Sequence, residues 1–297
     1  MIRLGLIGRG IQRSQMHQLQ ETLGKFSGRE VRYELFDADL NPGFDLGDTL
    51  GRLAATGLRG VNVTHPYKTE ACRNVVVFGE QPAALGAINT IVFSAGGWRG
   101  ENTDYTGFKV AYATRFPNQA PGAVLILGAG GVGSSLSFAL GALGASHLYL
   151  YDHRTGVSGD LVGRLSSAGY SASVVGHDLV EVARAVSGLV NATPIGMYQY
   201  PGNPLPLAAI NRQDWAFEAV YTPKRTEFVK ALAAQGTAVL GGFELFIHQG
   251  IDAFEHFTGA RLERKEAIKA YLAEFPQDDD CLDAGESPLK HAGGRNE

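Results

Sequence analysis

With 297 residues, 44% of them hydrophobic and 19% charged, and a formal net charge of -4, the chain is long enough to bury the cores of two compact domains. The slightly acidic balance, without runs of lysine or arginine, excludes the electrostatic footprint of a nucleic-acid or anionic-membrane binder. Two cysteines, Cys72 and Cys281, stand far apart without metal-ligand spacing; they support neither a disulfide framework nor a zinc site, and they fit a reducing cytoplasm.

The apolar start MIRLGLIG is short, lacks a small-residue cleavage pattern and runs straight into glycines, so it reads as a first strand, LGLIG, rather than a signal peptide. No apolar run approaches the length of a membrane span. A helix through His17 to Leu23, a strand VRYELFDAD, a helix near Asp48 to Ala55 and a strand GVNVT follow, which is α/β alternation. A second run starts near Ala123 with AVLIL, HLYLYD, SASVVG, GLVNAT, WAFEAV and TAVL, separated by helical patterns, as in a doubly wound parallel sheet. Phe243 to Thr258 reads as a helix whose Phe243, Phe246, Ile247, Ile251, Phe254 and Phe257 share a broad apolar face. The expected organisation is α/β throughout. An N-terminal substrate domain occupies residues 1–105 and a Rossmann-type dinucleotide domain residues 106–241. C-terminal helices at 242–275 pack back on the first domain, and 276–297, without apolar periodicity, forms a disordered tail.

VLILGAGGVG at Val124–Gly133 carries the strongest chemical signal, because it sets a glycine-rich turn between an apolar strand and a helix predicted over Ser134–Leu143. Gly128 permits the tight turn, Gly130 lets the backbone approach phosphates, and Gly133 lets helix and strand pack closely. The helix N-terminus then offers free N–H groups to an anion. The next strand ends in Asp152, at the spacing of an acid that holds a ribose. Gly8-Arg9-Gly10 also follows a strand but lacks the third glycine, so it reads as a substrate-side loop with Ser14 and His17 close behind.

Two strings remain: Asn62-Val63-Thr64-His65-Pro66-Tyr67-Lys68, and Glu101-Asn102-Thr103-Asp104-Tyr105-Thr106-Gly107-Phe108. Each follows a strand-like run. Lys68 offers a cation or a proton-transfer group, and Asp104 can orient it and hold a hydroxyl, which suits reversible alcohol oxidation. On residue type alone, an ordinary ion pair reads the same way.

At these strings the chain resembles the shikimate/quinate dehydrogenase family. The resemblance runs through NVTHPYK, GAINT (Gly86–Thr90), ENTDYTGF, GAGGVG, NATPIGM (Asn191–Met197), VYTPKRT (Val220–Thr226) and GGFELFIHQG, in family order over about residues 3–260. It implies an NAD(P)-dependent oxidoreductase that interconverts a ring alcohol and ketone of shikimate or quinate type, with Lys68 and Asp104 as the catalytic pair. It further implies that Thr64, Asn89 and Gln249 bond the ring hydroxyls and that Ser14 and Tyr221 lie at the substrate carboxylate. On the coenzyme side it implies Gly128, Gly130, Gly131, Val132 and Gly133 at the pyrophosphate, Asp152 and Arg154 at the adenosine ribose, and Thr193, Met197, Gly242 and Leu245 toward the nicotinamide.

Three departures from the family pattern matter. The first loop, Gly10-Ile11-Gln12-Arg13-Ser14-Gln15-Met16-His17, is shorter than the family's and keeps one serine where two hydroxyl residues bind the carboxylate, which leaves two alternatives: Arg13 as a charge-assisted substitute, or a related substrate other than shikimate. Leu245 replaces a methionine at similar volume. Asp152 stands where the family's NADP-type start has asparagine, so NAD is favoured over NADP, with Arg154 as the counterweight. The expected partner is a polyhydroxylated ring carboxylate, and the expected enzyme is a cytoplasmic monomer or homodimer without metal. A methylenetetrahydrofolate dehydrogenase-like enzyme and a non-catalytic ligand sensor on the same fold are the competing readings.

Overall fold

A computed structural model describes residues 1–79 and 82–276. The first run folds as β1 (Ile2–Gly8), α1 (Met16–Phe26), β2 (Val31–Asp37), α2 (Leu46–Ala55) and β3 (Gly60–Val63), followed by β4 (Val77–Phe78), α3 (Pro82–Leu85), β5 (Thr90–Val92) and β6 (Arg99–Glu101). These strands form a sheet in the order β2-β1-β3-β5-β6-β4. β1 pairs parallel with β2 and β3, whereas β5 runs antiparallel to β3 and β6. The sheet is therefore mixed.

α4 (Thr103–Arg115) leads into β7 (Ala123–Leu127), α5 (Gly131–Ala142), β8 (His147–Tyr151), α6 (Val157–Ser167), β9 (Ala172–Val174), α7 (Leu179–Ala185) and β10 (Gly188–Asn191). β11 (Trp215–Glu218), α8 (Glu227–Ala234) and β12 (Ala238–Gly241) complete that run. Its sheet is all parallel in the order β12-β11-β10-β7-β8-β9. The reversal of order at β7 opens a crevice outside the strands' C-terminal ends, where α/β proteins hold ligands. α9 (Gly242–Thr258) and α10 (Arg264–Glu274) follow.

Both sheets carry buried apolar clusters on both faces. In the second, Val124 and Ile126 face Leu136, Phe108 and Trp215, while Leu125 and Leu127 face Phe228 and Leu232. In the first, Leu4 and Leu6 pack with Leu19, Leu23, Phe254 and Phe257 of α1 and α9, and Ile7 and Val61 pack with Leu50 and Leu53 of α2. Each fully buried side chain of this size contributes roughly 1.5–3 kcal/mol of transfer free energy. α9 therefore packs back on the first sheet, as its apolar face predicts.

Helix starts differ from the sequence expectations, and at α2 a side-chain cap sets the difference. α1 and α2 start one to two residues early; Asp45 caps α2 by accepting from Asp48 N–H at 2.8 Å. α5 starts at Gly131 rather than Ser134 because Gly130 already stands at its N-cap. α9 stops where Gly259 takes a left-handed φ of 68°. Of the expected tail, residues 277–297 lie outside the described residues. Among the described residues no helix is long and apolar enough to cross a membrane.

Candidate active site

Beyond β3, Thr64 N–H donates to Ile7 O at 2.9 Å and Tyr67 N–H to Thr64 O at 3.0 Å, a turn that delivers Lys68 to the sheet's C-terminal edge. Asp104 arrives from another element. Asn102 caps α4 by accepting from Tyr105 N–H at 2.9 Å, which sets Asp104 in the first helical turn. Lys68 Nζ donates to Asp104 Oδ2 at 2.6 Å, with the two side chains only 12% and 8% exposed. A pair this close and this dry is a charge-assisted bond of the strong kind.

Asn89 and Gln249 meet through a third residue. Asn89 Oδ1 accepts from Thr103 N–H at 2.7 Å, and Thr103 Oγ1 lies 3.1 Å from that oxygen and 3.2 Å from Gln249 Oε1. One hydroxyl hydrogen serves one acceptor at a time, so Thr103 links the two amides without saturating either. Gln249 comes this near because Gly107 faces it: a Cβ there would lie 2.6 Å from Gln249 N. Thr106 Oγ1 donates to Asp252 Oδ2 one turn further along both helices, and Arg264 of α10 holds the other oxygen of Asp252.

The glycine-rich turn has the shape expected of an anion cradle. Gly128 has φ 94°, and a Cβ on Gly133 would overlap Gly128 O at 1.9 Å, so side chains are excluded where helix meets strand. α5 has no side-chain cap and no acid in its first turn, an arrangement that suits an anion at its N-terminus. The turn also meets the other domain's chemistry: a Cβ on Gly131 would sit 3.2 Å from Lys68 Cδ. Val132 packs beside this turn against the second core.

Asp152 does not stand open. Its side chain is 2% exposed, and Oδ2 accepts from Ala129 N–H and Arg154 Nη2, both at 2.8 Å, while Oδ1 accepts from Arg154 N and Nε at 2.9 Å. The Arg154 hydrogen bonds hold this carboxyl well below the usual carboxylate range. The guanidinium remains half exposed beside Gly130.

Thr193 donates from both N and Oγ1 to Asn191 Oδ1, at 3.0 and 2.6 Å. Met197 turns back through its N–H to Pro194 O, and Gly242 opens α9 where a Cβ would lie 2.4 Å from Ala219 O. Leu245 is 7% exposed and packs in the second core, and Tyr221 stacks on Phe246 at 5.9 Å. Ser14 turns its hydroxyl to the start of α1, accepting from Met16 N–H at 3.3 Å, and Arg13 is exposed.

Two anchors carry no motif of their own. Asp37, at the end of β2, accepts from Gly10 N, Ile11 N and Gln12 Nε2 at 3.0–3.1 Å and so fixes the shortened first loop. Glu218 is 1% exposed and accepts from Asn191, Val220 and Thr226. Burial pushes its carboxyl up to about 7, although the three bonds work in the opposite direction. The visible signal is an acid that ends a buried parallel strand.

A family model described as the shikimate dehydrogenase substrate binding domain matches residues 6–91. Along 92% of its length the chain is 36% identical to a quinate/shikimate dehydrogenase (NAD(+)) of Corynebacterium glutamicum strain R, of which it covers 98%. It is also 36% identical to a shikimate dehydrogenase (NADP(+)) of Streptomyces avermitilis, over 97% of this chain and 98% of the relative. Among solved structures, it is similar to quinate dehydrogenase from Corynebacterium glutamicum in complex with NAD, with a TM-score of 0.84 at 34% identity, covering 92% of this chain and 99% of that one. Shikimate 5-dehydrogenase from Thermus thermophilus in complex with NADP(H) and shikimate gives a TM-score of 0.80 at 29% identity, with coverage of 92% and 99%.

Proposed function

The chain belongs to the shikimate/quinate dehydrogenase family of oxidoreductases that act on a CH–OH group, and on that premise we propose that Lys68 and Asp104 handle the proton of a ring hydroxyl on a shikimate- or quinate-type carboxylate. The observation that carries this reading is the buried Lys68–Asp104 bond of 2.6 Å with Gly131 of the glycine-rich turn packed on the lysine stem. Proton handling and hydride transfer need adjacent sites, and these are adjacent.

A nicotinamide coenzyme supplies the hydride acceptor for oxidation and the donor for reduction. The N–H groups of the 128–133 turn would hold its pyrophosphate. Lys68 and Asp104 take the proton from the ring hydroxyl during oxidation, and they return one to the developing alkoxide oxygen during reduction. Asn89 and Gln249, set by Thr103, orient the remaining hydroxyls, and Asp104 shares that work. Arg13 and Ser14 of the short loop, with Tyr221, receive the carboxylate.

NAD is the preferred coenzyme. A ribose hydroxyl is compatible with the ion-paired Asp152, whereas a 2′-phosphate places an anion beside a carboxylate and must draw Arg154 away from it. The preference is moderate because Arg154 stands ready to make that exchange. A spectrophotometric screen at nicotinamide absorbance tests the whole reading, with quinate, shikimate and simpler ring analogues against NAD and NADP. Turnover of a ring carboxylate with NAD is the expected result, and absence of turnover with every pair defeats the reading in favour of a ligand sensor.

A further inference from the structure

Glu218 and Asn191 end adjacent parallel strands and are direct register partners, and Asn191 is also in register with Leu127, the residue before Gly128. From those strand ends leave the loop with Thr193 and Met197, the loop with Tyr221, and the glycine-rich turn. The hydrogen bonds across this edge are directional. Asn191 Oδ1 accepts from Thr193 N–H, so its Nδ2 must be the atom that donates to Glu218 Oε1 at 2.9 Å, and it donates as well to Ile195 O at 3.0 Å. Val220 N–H donates to the same Oε1 at 2.9 Å. Thr226 Oγ1, which accepts from Val229 N–H, gives its hydrogen to Oε2 at 2.8 Å. The loops also touch: a Cβ on Gly128 would lie 3.0 Å from Thr193 Cγ2, and one on Gly196 would lie 2.9 Å from Thr226 Cγ2.

We infer that Glu218 is a positioning residue whose carboxylate, acting through Asn191 and Val220 N–H, holds the coenzyme-side loop and the Tyr221 loop in a single mutual arrangement. The inference rests on the proposed function, in which Thr193 lies on the coenzyme side and Tyr221 at the substrate carboxylate. A core acid with a purely structural role would cap α8 through Thr226 and no more. Here one oxygen serves two loops that leave neighbouring strands, so moving it displaces a coenzyme contact and a substrate contact together. A buried network whose donors and acceptors are paired in this way resists rearrangement, because each broken bond leaves a polar group desolvated.

Glu218→Ala and Glu218→Gln separate this role from plain stability. Glutamine keeps an oxygen for Asn191 and Val220 N–H, and its amide can donate to Thr226, so it is the rescuing variant. For Glu218→Ala at about pH 8, where the native carboxyl is ionised, the dissociation constant of NADH, read from nicotinamide fluorescence without turnover, rises about tenfold, as does the KM of the ring substrate, the scale of losing hydrogen bonds to a charged acceptor. Glu218→Gln returns both to within about threefold of wild type. Unchanged constants in Glu218→Ala, with only a lowered melting temperature, overturn the inference. Should the alanine variant not fold, Glu218→Asp draws the carboxylate back by one methylene and is expected to raise both constants in the same direction; unchanged values there overturn it equally. Wild-type protein that binds neither NADH nor NADPH defeats the functional reading itself and this inference with it, an outcome distinct from wild-type binding that is indifferent to Glu218.

Discussion

Gly131 lies against the aliphatic stem of Lys68, with 3.2 Å between the place of a Cβ and Lys68 Cδ. The residue that opens α5 thus bounds the space of Lys68, which comes from the edge of the first sheet. Gly131→Ala should move that stem by a few tenths of an ångström and lower kcat by roughly three- to tenfold, because proton transfer is steep in geometry. The melting temperature should hardly move. Wild-type kcat in a well-folded variant would show that the contact does not constrain Lys68.

Lys68→Ala should lower kcat by at least about a hundredfold while coenzyme binding stays nearly intact, as expected when transition-state proton handling is lost. Asp104→Ala should raise KM and lower kcat together, since its carboxylate bonds Lys68 and, on the proposed reading, holds a hydroxyl as well. Steady-state kinetics beside fluorescence titration of the coenzyme separates the two effects. A near-normal kcat for Lys68→Ala removes the assignment.

On the proposed reading, coenzyme choice turns on the Asp152–Arg154 ion pair. Asp152→Asn should raise the NADP-to-NAD ratio of kcat/KM by about tenfold, or roughly 1.4 kcal/mol. Arg154→Ala should move the ratio the other way, because it strips the cation that a 2′-phosphate needs and leaves the carboxylate unopposed. If Asp152→Asn leaves the ratio where it was, the acid does not set the preference.

The exposed Arg13 on the short loop should answer to the substrate carboxylate. Arg13→Ala is expected to weaken carboxylate substrates by about 1.5–3 kcal/mol, the scale of a hydrogen bond to a charged group. Analogues without the carboxylate should keep their KM. Equal losses for both kinds would place the effect in folding or coenzyme binding.

Stability against pH carries two opposing contributions. Glu218 is raised from 4.5 to about 7 by burial, so within that window the native state keeps a proton that the unfolded chain has released, and stability falls as pH rises. His248 is lowered from 6.5 to about 4 by burial and by Arg264, with Asp252 opposing, so its contribution rises with pH over its own window. Around pH 5–6.5 they offset one another. Glu218→Gln removes the falling contribution, and its stability should climb more steeply with pH than that of wild type, by up to about 1.4 kcal/mol per pH unit, as read from melting curves across the window. Parallel curves would mean that Glu218 does not titrate there.

The coenzyme turn is legible in sequence because its physics is local: strand, glycines, helix and acid follow in order within Val124–Asp152. Lys68 and Asp104 stand 36 positions apart on separate elements, and no spacing rule joins them. Their pairing comes into view only through the resemblance of the two strings. β4, β5 and β6 are two or three residues long, too short for an alternation to register. The first turn of α5 is masked by the low helix propensity of its glycines. Glu218 hides for another reason: in WAFEAV it reads as a polar interruption of a strand, and only the neighbouring strand shows what it holds.

The first sheet has a further consequence, for synthesis. Its Leu4/Leu6 face is completed by Phe254, Phe257 and Tyr271, and Thr22 and Lys25 bond to Glu274. A nascent chain leaving the ribosome therefore has the residues of the second sheet in hand before the first can close its core. The later sheet is free to fold as a continuous unit while the earlier strands wait with an apolar face uncovered. For the duration of roughly two hundred added residues, at about 5–20 per second, that waiting face exposes the unfinished chain to aggregation.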